Sequence, residues 1–524
     1  MREITNAKTS RLFHGIVCAL ALAILAQACL VIWQGNLYHY EDHLNSDIAA
    51  EAMLAREIAK NDMHVPETWI GSSETRVFST ANLGAFIYRM TGSMNRAMGW
   101  AVSAYFVIVC FSMYLFLRAA GLRRWIAVLT CTGAVTLTGS LEALNMYATF
   151  AGYYDSYICV MFLMFALYAV AMRKHKASVW IWLVGTLLAV ASGLEGLHVF
   201  LMCFVPLAAT ALLHCVILAV FRRRAAHPGR NSTTLWAVAT AIVNYAVIHF
   251  SAASSQETTR NIRHSLEKFI TVVWPQVIEI VSPGRSRFLL GALIAAAGFG
   301  FIYLLFRRQE SPAFALLCAP MSVMVLVAAG TFTTADSSAR YYVAVNFAIA
   351  IGAGALIAIM TSNVPKWSPK KRIPGSVAAI TVVSVMLLYS LLGVRDFRNL
   401  LTGVQNDMYA SYAEGLSRMR EMGYERGYTS FDYANLLTGL SDGEVIVGNV
   451  DSFETMRAGA WLTDRSWYPP YVDADEETVY IVSDARLEEF RDFTRQNHVL
   501  PIHEQQFGNL HFIVLPENYI QGMP

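Results

Sequence analysis

The chain has 524 residues, 55% of them hydrophobic and only 15% charged, with a mean hydropathy of +0.42. Too little polar surface remains to cover a soluble globule of this size, and a net charge of +2 is too small to direct the chain to nucleic acid. All eight cysteines (Cys18, Cys29, Cys110, Cys131, Cys159, Cys203, Cys215 and Cys318) fall inside apolar blocks, so no disulfide framework and no zinc site are expected.

The apolar residues come in long blocks rather than periodic stripes, the mark of transmembrane helices. The first block, Leu12 to Trp33, follows Arg2, Lys8 and Arg11. It is too long for a signal-peptide core and no small-residue cleavage site follows, so it reads as a retained signal anchor. In all, about eleven blocks approach the ~20 residues that a bilayer requires. They lie at 12–33, 97–118, 125–145, 156–172, 179–195, 197–221, 234–253, 286–306, 312–331, 341–361 and 373–394. The basic clusters Arg118-Arg123-Arg124, Arg173-Lys174-Lys176, Arg222-Arg223-Arg224, Arg307-Arg308 and Lys366-Lys370-Lys371-Arg372 then share one side with the N-terminus. The positive-inside rule makes that side the cytoplasm, and an odd number of spans puts the C-terminus outside. The halves do not mirror each other, which argues against an inverted-repeat transporter.

The first outer loop, 34–96, is longer than most structureless connections. It carries Tyr38, Tyr40 and then Glu41-Asp42-His43-Leu44-Asn45-Ser46-Asp47. Asn45 or Ser46 caps a helix whose first turn holds Asp47 and whose apolar side is Leu44, Ile48, Leu54 and Ile58. Two readings of Asp47 stand. It complements the helix dipole, an effect of about 0.3–1 kcal/mol, or it is a catalytic carboxylate at the membrane boundary together with Glu41 and Asp42. The rest of the loop, and the later stretch His264 to Trp274, read as helices lying in the interface plane.

Ionisable residues at membrane depth are costly and are functional candidates by default. Here they are Glu142, Glu195, His198, His214 and His249. Glu142 and, after Tyr153-Tyr154, Asp155 fall on the outer side with Asp47; the alternative is that they are simply hydrated at the interface. Outer loops are poor in arginine, yet Thr333-Thr334-Ala335-Asp336-Ser337-Ser338-Ala339-Arg340-Tyr341-Tyr342 puts Arg340 at the mouth of a late span. A guanidinium there binds a lipid phosphate through two parallel hydrogen bonds, or snorkels to the headgroups. No P-loop, GxSxG elbow, HExxH or dinucleotide fingerprint is present, so a nucleotide-driven activity has no evident site. No cofactor is indicated; a divalent metal is compatible with the sequence but not pointed to by it.

The tail, 395–524, is acidic and free of cysteine. Strands are expected at 444–448, 478–482 and 510–514 and a helix at 485–497, giving a small α/β domain outside the membrane body of residues 1–394.

Taken together, the chain resembles the bacterial branch of the C-type (GT-C) membrane glycosyltransferases, the group of protein O-mannosyltransferases and lipid A aminoarabinose transferases. The resemblance rests on the first span, the early acidic residue before a helix in NSDIAAEAMLARE, the late Arg-Tyr-Tyr, and the tail segments GYERGYTSFDYANLLTGLSDGEVIVG and WLTDRSWYP. It implies a mainly α polytopic fold and sugar transfer from a polyprenyl-phosphate donor to an extracytoplasmic glycan, lipid or protein. It makes Asp47 the base, with Asp42 and Glu41 as alternatives. Arg340 becomes the cation for the donor phosphate, and Tyr341, Glu142, Asp155 and Tyr154 become substrate contacts. The competing classes are a lipid-linked sugar flippase and an O-antigen-type polymerase or ligase. A flippase wants polar residues in mid-span, whereas here they gather at outer ends; a polymerase or ligase carries its large loop late, whereas here it is the first.

Overall fold

The computed structural model describes residues 2–71, 77–222, 228–251, 261–281, 287–307, 311–334, 337–363, 369–403 and 407–523. Asp336 of the Arg340 segment, and Arg223, Arg224, Arg308 and Lys366 of the basic clusters, lie outside these residues.

Each of the expected apolar blocks is helical. Among the described residues nine helices are long and apolar enough to cross a membrane. They include α1 (Arg2–Tyr38), α4 (Met94–Ala119), α7 (Asp155–Lys174), α14 (Arg287–Arg307) and α17 (Pro369–Thr402). Two further blocks form shorter helices, α5 (Arg124–Thr136) and α8 (Val179–Gly193). At 1.5 Å per residue α8 rises only about 22 Å, less than the ~30 Å hydrocarbon core.

The block expected to run to 145 ends at Thr136. Thr136-Leu137-Thr138-Gly139-Ser140 is a run of poor helix formers whose hydroxyls compete for the backbone. The chain then folds inward through α6 (Leu141–Leu144) to reach α7. This irregular stretch is buried, so its polar groups need partners. Asn36 supplies two, donating from Nδ2 to Ala148 O at 3.0 Å and accepting from Phe150 N at 3.0 Å. Asn346 Nδ2 donates to Thr138 Oγ1 at 2.9 Å. At the opposite end of the bundle Arg173 Nη2 donates to Ala119 O at 2.6 Å, so the loops bearing Arg118 and Arg173 do share a side.

The first outer loop folds into α2 (Ser46–Lys60), β1 (Trp69–Ile70) and α3 (Thr80–Thr91). The stretch expected near 264–274 belongs to a longer helical run, α12 (Ile262–Lys268), a π-turn and α13 (Trp274–Val281). Its residues Ile262, Leu266, Ile270, Trp274 and Ile278 form one exposed apolar stripe at four-residue spacing.

The tail holds α18 (Asp407–Glu421), α19 (Phe431–Leu440) and α20 (Leu487–Gln496) around a six-stranded sheet. The strands are β2 (Arg426–Thr429), β3 (Ile446–Ser452), β4 (Arg457–Ala458), β6 (Thr478–Ser483), β7 (His503–Phe507) and β8 (Leu510–Leu515). Their order is β4-β3-β2-β6-β8-β7. β2 pairs parallel with β3 and β6, and the β6–β8–β7 edge is antiparallel. The tail is sewn to the first outer loop. β1 pairs antiparallel with β5 (Thr463–Asp464), and α19 packs on α2 so closely that a Cβ on Gly439 would sit 2.9 Å from Ala49 Cβ.

Candidate functional site

The N-terminus of α2 is built to hold one residue. Asn45 is its cap: its side chain accepts from Ile48 N at 2.8 Å, which satisfies one of the orphan amides of the first turn. Asp47 is the next residue but one, half-buried at the rim of the site. Below it Ile48, Ala49, Ala52, Met53, Ala55 and Ile58 are buried against α3, α4 and α19. Tail and loop are also joined by hydrogen bonds. Ser46 Oγ donates to Phe431 O, Tyr409 OH donates to Leu44 O at 2.6 Å, and Arg56 Nη2 donates to Gly443 O at 3.1 Å. Asn95, at the start of α4, donates from Nδ2 to Gly439 O at 2.9 Å and from its backbone to Asp442 Oδ1 at 3.0 Å.

The other first-loop carboxylates already have partners. Asp42 Oδ2 lies 3.0 Å from His39 Nδ1, and Glu41 Oε1 accepts from Asn95 Nδ2 at 3.4 Å. Between them and the helix, His43 stacks on Phe150 with centroids 4.5 Å apart and donates from Nε2 to Leu401 O at 3.2 Å. Burial pushes its pKa below the ordinary 6.5, so it stays neutral and acts as a packing bridge.

Arg340 stands in the 3-10 turn Ala339–Tyr342, just before α16 (Ala344–Asn363). That turn is held from below by Ser338, whose Oγ donates to Glu142 Oε1 on α6. The inward fold of 137–154 is what carries Glu142 there. The guanidinium carbon lies 5.3 Å from the Tyr341 ring centroid, and Nη2 donates weakly to Tyr341 OH at 3.4 Å. The Arg340 charge interacts with Asp47, Tyr154 and Tyr341. Asp47 and Arg340, far apart in sequence, thus come within electrostatic reach of each other at one end of the bundle, with Tyr154 and Tyr341 near the guanidinium.

Tyr154 and Asp155 come from the start of α7. Tyr154 stacks on Tyr157 at 5.1 Å and on His198 at 4.3 Å. Asp155 is 1% exposed, and neither carboxylate oxygen has a hydrogen-bond partner among the described residues. It folds back over Gly152, where φ is +58° and a Cβ would collide with Oδ2 at 2.1 Å. That position requires glycine both for its left-handed backbone and for the close approach. Next to it is a small polar cavity lined by Ser79, Thr80, Ser156, Tyr157 and Glu195.

Glu195, noted in the sequence only as an ionisable residue at membrane depth, is 1% exposed. Its Oε1 accepts from Phe78 N at 2.7 Å and its backbone oxygen accepts from Tyr157 OH at 3.0 Å. It thereby ties the entry to α3 to the corner between α8 and α9 (Leu197–Val199). The other residue whose part in this cluster the sequence does not reveal is His198; ring partners from two other segments, Tyr154 and Tyr157 at the start of α7 and Tyr341, leave no local signature. Among the described residues no group of three His, Cys, Asp or Glu side chains is arranged to hold a metal ion.

No family model and no curated protein sequence matches the chain. Solved structures do. The chain is similar to ArnT, the aminoarabinose transferase, from Cupriavidus metallidurans in the apo state, with a TM-score of 0.51 at 13% identity over 96% of this chain and 99% of that one. It is similar also to the Archaeoglobus fulgidus oligosaccharyltransferase in the apo form, with a TM-score of 0.51 at 11% identity over 90% of this chain and 71% of that one. The same oligosaccharyltransferase tethered with an acceptor peptide containing the NVT sequon gives a TM-score of 0.50 at 11% identity, over 89% and 69% of the two chains. Likeness at such identities concerns the fold, and the fold is the C-type glycosyltransferase fold that the sequence led us to expect.

Proposed function

We propose that a chain with this fold and this pair of charges is a membrane glycosyltransferase that moves a sugar from a polyprenyl-phosphate donor to an acceptor outside the cytoplasm. The observation that carries the reading is the proximity of Asp47 and Arg340: a carboxylate and a guanidinium, far apart in sequence, come within electrostatic reach of each other. Sugar transfer from a lipid phosphate needs those two groups and orientation. Asp47 takes the proton of the attacking acceptor hydroxyl or amine. The anomeric carbon forms its new bond to that atom as its bond to the phosphate oxygen breaks. The lipid phosphate leaves with the electron pair and is met by Arg340, whose planar fork suits it.

The surrounding residues have supporting parts in this reading. Tyr341 fixes the guanidinium from one side and Glu142 holds the turn on which it stands. Tyr154, near the guanidinium, is the contact for the sugar, whereas Asp155 next to it in the chain is buried and does not reach an open face. Glu41 and Asp42 are engaged with Asn95 and His39, which favours Asp47 as the base. The oligosaccharyltransferase of the same fold, whose structure carries a tethered acceptor peptide, supports a fold that can bind an acceptor. We place the N-terminus in the cytoplasm and the tail outside the cytoplasmic membrane, because the described loops bearing Arg118 and Arg173 sit at the end of α4 away from Asn95 and the first loop.

The test is a transfer assay with the purified chain in liposomes, a panel of radiolabelled undecaprenyl-phosphate sugars, and envelope glycolipid or peptide acceptors. The expected result is label on an acceptor together with released undecaprenyl phosphate. Movement of intact donor across the liposome membrane, with no cleavage of any sugar in the panel, would replace this reading with a flippase.

A further inference from the structure

His198 stands beside the phosphate cation and has no task in the reading above. Its ring lies between Tyr154, with centroids 4.3 Å apart and planes 20° apart, and Tyr341, with centroids 5.7 Å apart. Tyr341 is the same ring that the Arg340 guanidinium covers. The ring is half-buried, yet its Nε2 is fully covered and has no hydrogen-bond partner among the described residues. Buried polar atoms are nearly always paired, and one left orphaned beside a functional group asks for a reason.

The local backbone is irregular around it. Gly196 has φ +102°, and the helix that begins at Leu197 passes at once into a π-turn, Phe200–Phe204. π-turns inside helices concentrate at functional sites. Here the irregular corner sets the imidazole against Tyr154 of α7 and Tyr341 of the arginine turn.

We propose that His198 is a second phosphate-binding residue: when a lipid phosphate seats on Arg340, the imidazole Nε2–H donates to one of its oxygens. The assignment rests on the reading of Arg340 as the phosphate cation. A neutral ring suits the place, because it adds a donor without a second positive charge beside the guanidinium. The stack on Tyr154 sets the ring plane, and the tilted contact with Tyr341 keeps it next to the arginine turn. The ligand is a lipid phosphate monoester, and bulk phospholipid is the competing source of the same chemistry.

Binding of undecaprenyl phosphate to the purified full-length protein tests this without knowledge of the sugar. His198→Phe keeps a ring between Tyr154 and Tyr341 and removes the N–H; His198→Gln keeps an N–H of similar reach. The expected result is about tenfold weaker binding for Phe, the size of one hydrogen bond to a charged group, and recovery of most of that loss in Gln. Melting temperatures of both variants should match the parent. Unchanged affinity in His198→Phe, with binding lost in Arg340→Ala, overturns the role of His198 and leaves that of Arg340 standing. No binding by the parent chain overturns both. An equal His198 dependence for phosphatidylglycerol assigns the pair to bulk headgroups and overturns the donor assignment.

Discussion

The two charges of the site are held in opposite ways. Asp47 rides on a helix whose apolar face is buried on three sides, by α3, by α4 and by α19 of the tail, and whose first turn is capped by Asn45 and latched by Ser46 to Phe431 O. Arg340 stands on a single 3-10 turn, steadied by the Ser338–Glu142 hydrogen bond and by the ring of Tyr341. The carboxylate is thus fixed by packing, as in a soluble core, and the guanidinium by a few polar and aromatic contacts. The difference suits their proposed tasks. A base works only from one position relative to the attacking atom, whereas a cation must follow a phosphate from bound donor to departing lipid.

Substitutions at four positions break or sharpen this contrast, in descending order of expected effect. Asp47→Asn keeps size and cap geometry but cannot accept a proton, so transfer should fall by about 100-fold or more with an unchanged melting temperature. If Asp47 only complements the helix dipole, the variant keeps its activity and loses at most about 1 kcal/mol of stability; turnover and thermal unfolding on one preparation separate the two. Arg340→Ala should weaken donor binding and slow transfer together. Arg340→Lys should keep part of both, because the charge survives and the planar fork does not. Near-normal kinetics in the alanine variant would return Arg340 to a headgroup role.

The next pair tests the supports rather than the charges. Gly439→Leu drives a side chain into Ala49 and Leu44, and overpacking of this kind costs about 1–3 kcal/mol. It should lower the melting temperature and the turnover together while donor affinity holds. Ser338→Ala removes one hydrogen bond to Glu142, a loss of about 1 kcal/mol, and should appear as a raised donor KM with no change in melting temperature. The reverse pattern, global destabilisation from Ser338→Ala and a pure KM effect from Gly439→Leu, would invert the comparison.

How much of this could be read in the sequence follows from what each feature depends on. The spans are legible because bilayer thickness demands long apolar blocks, and α1, α4 and α7 match their expected places. The end of α5 at Thr136 was not legible from hydropathy, since the buried stretch that follows is apolar as well; its polar partners Asn36 and Asn346 come from other helices. Asp47 and Arg340 stand out singly as charges at span boundaries, but their meeting is a property of the folded bundle. The latch between α2 and α19 leaves almost no trace, because the carbonyls of Phe431, Gly439 and Gly443 that receive its hydrogen bonds belong to the backbone. In the tail the largely apolar runs of β6 and β8 are visible and the apolar start of β3 marks only its first residues, its polar end to Ser452 being unmarked, whereas β7, exposed at four of its five residues, carries no such pattern.

That latch has a consequence for how the protein is made. The helix that carries Asp47 is synthesised near the beginning of the chain, and the surface that receives its outer face, α19, near the end. A nascent chain therefore holds its acid long before it holds the acid in place. The proposed site is finished only when the later-made tail folds back on the earlier-made loop. A chain cut short before residue 440 would keep most of its spans and lose the seat of α2, so synthesis through α19 itself acts as the step that assembles the site.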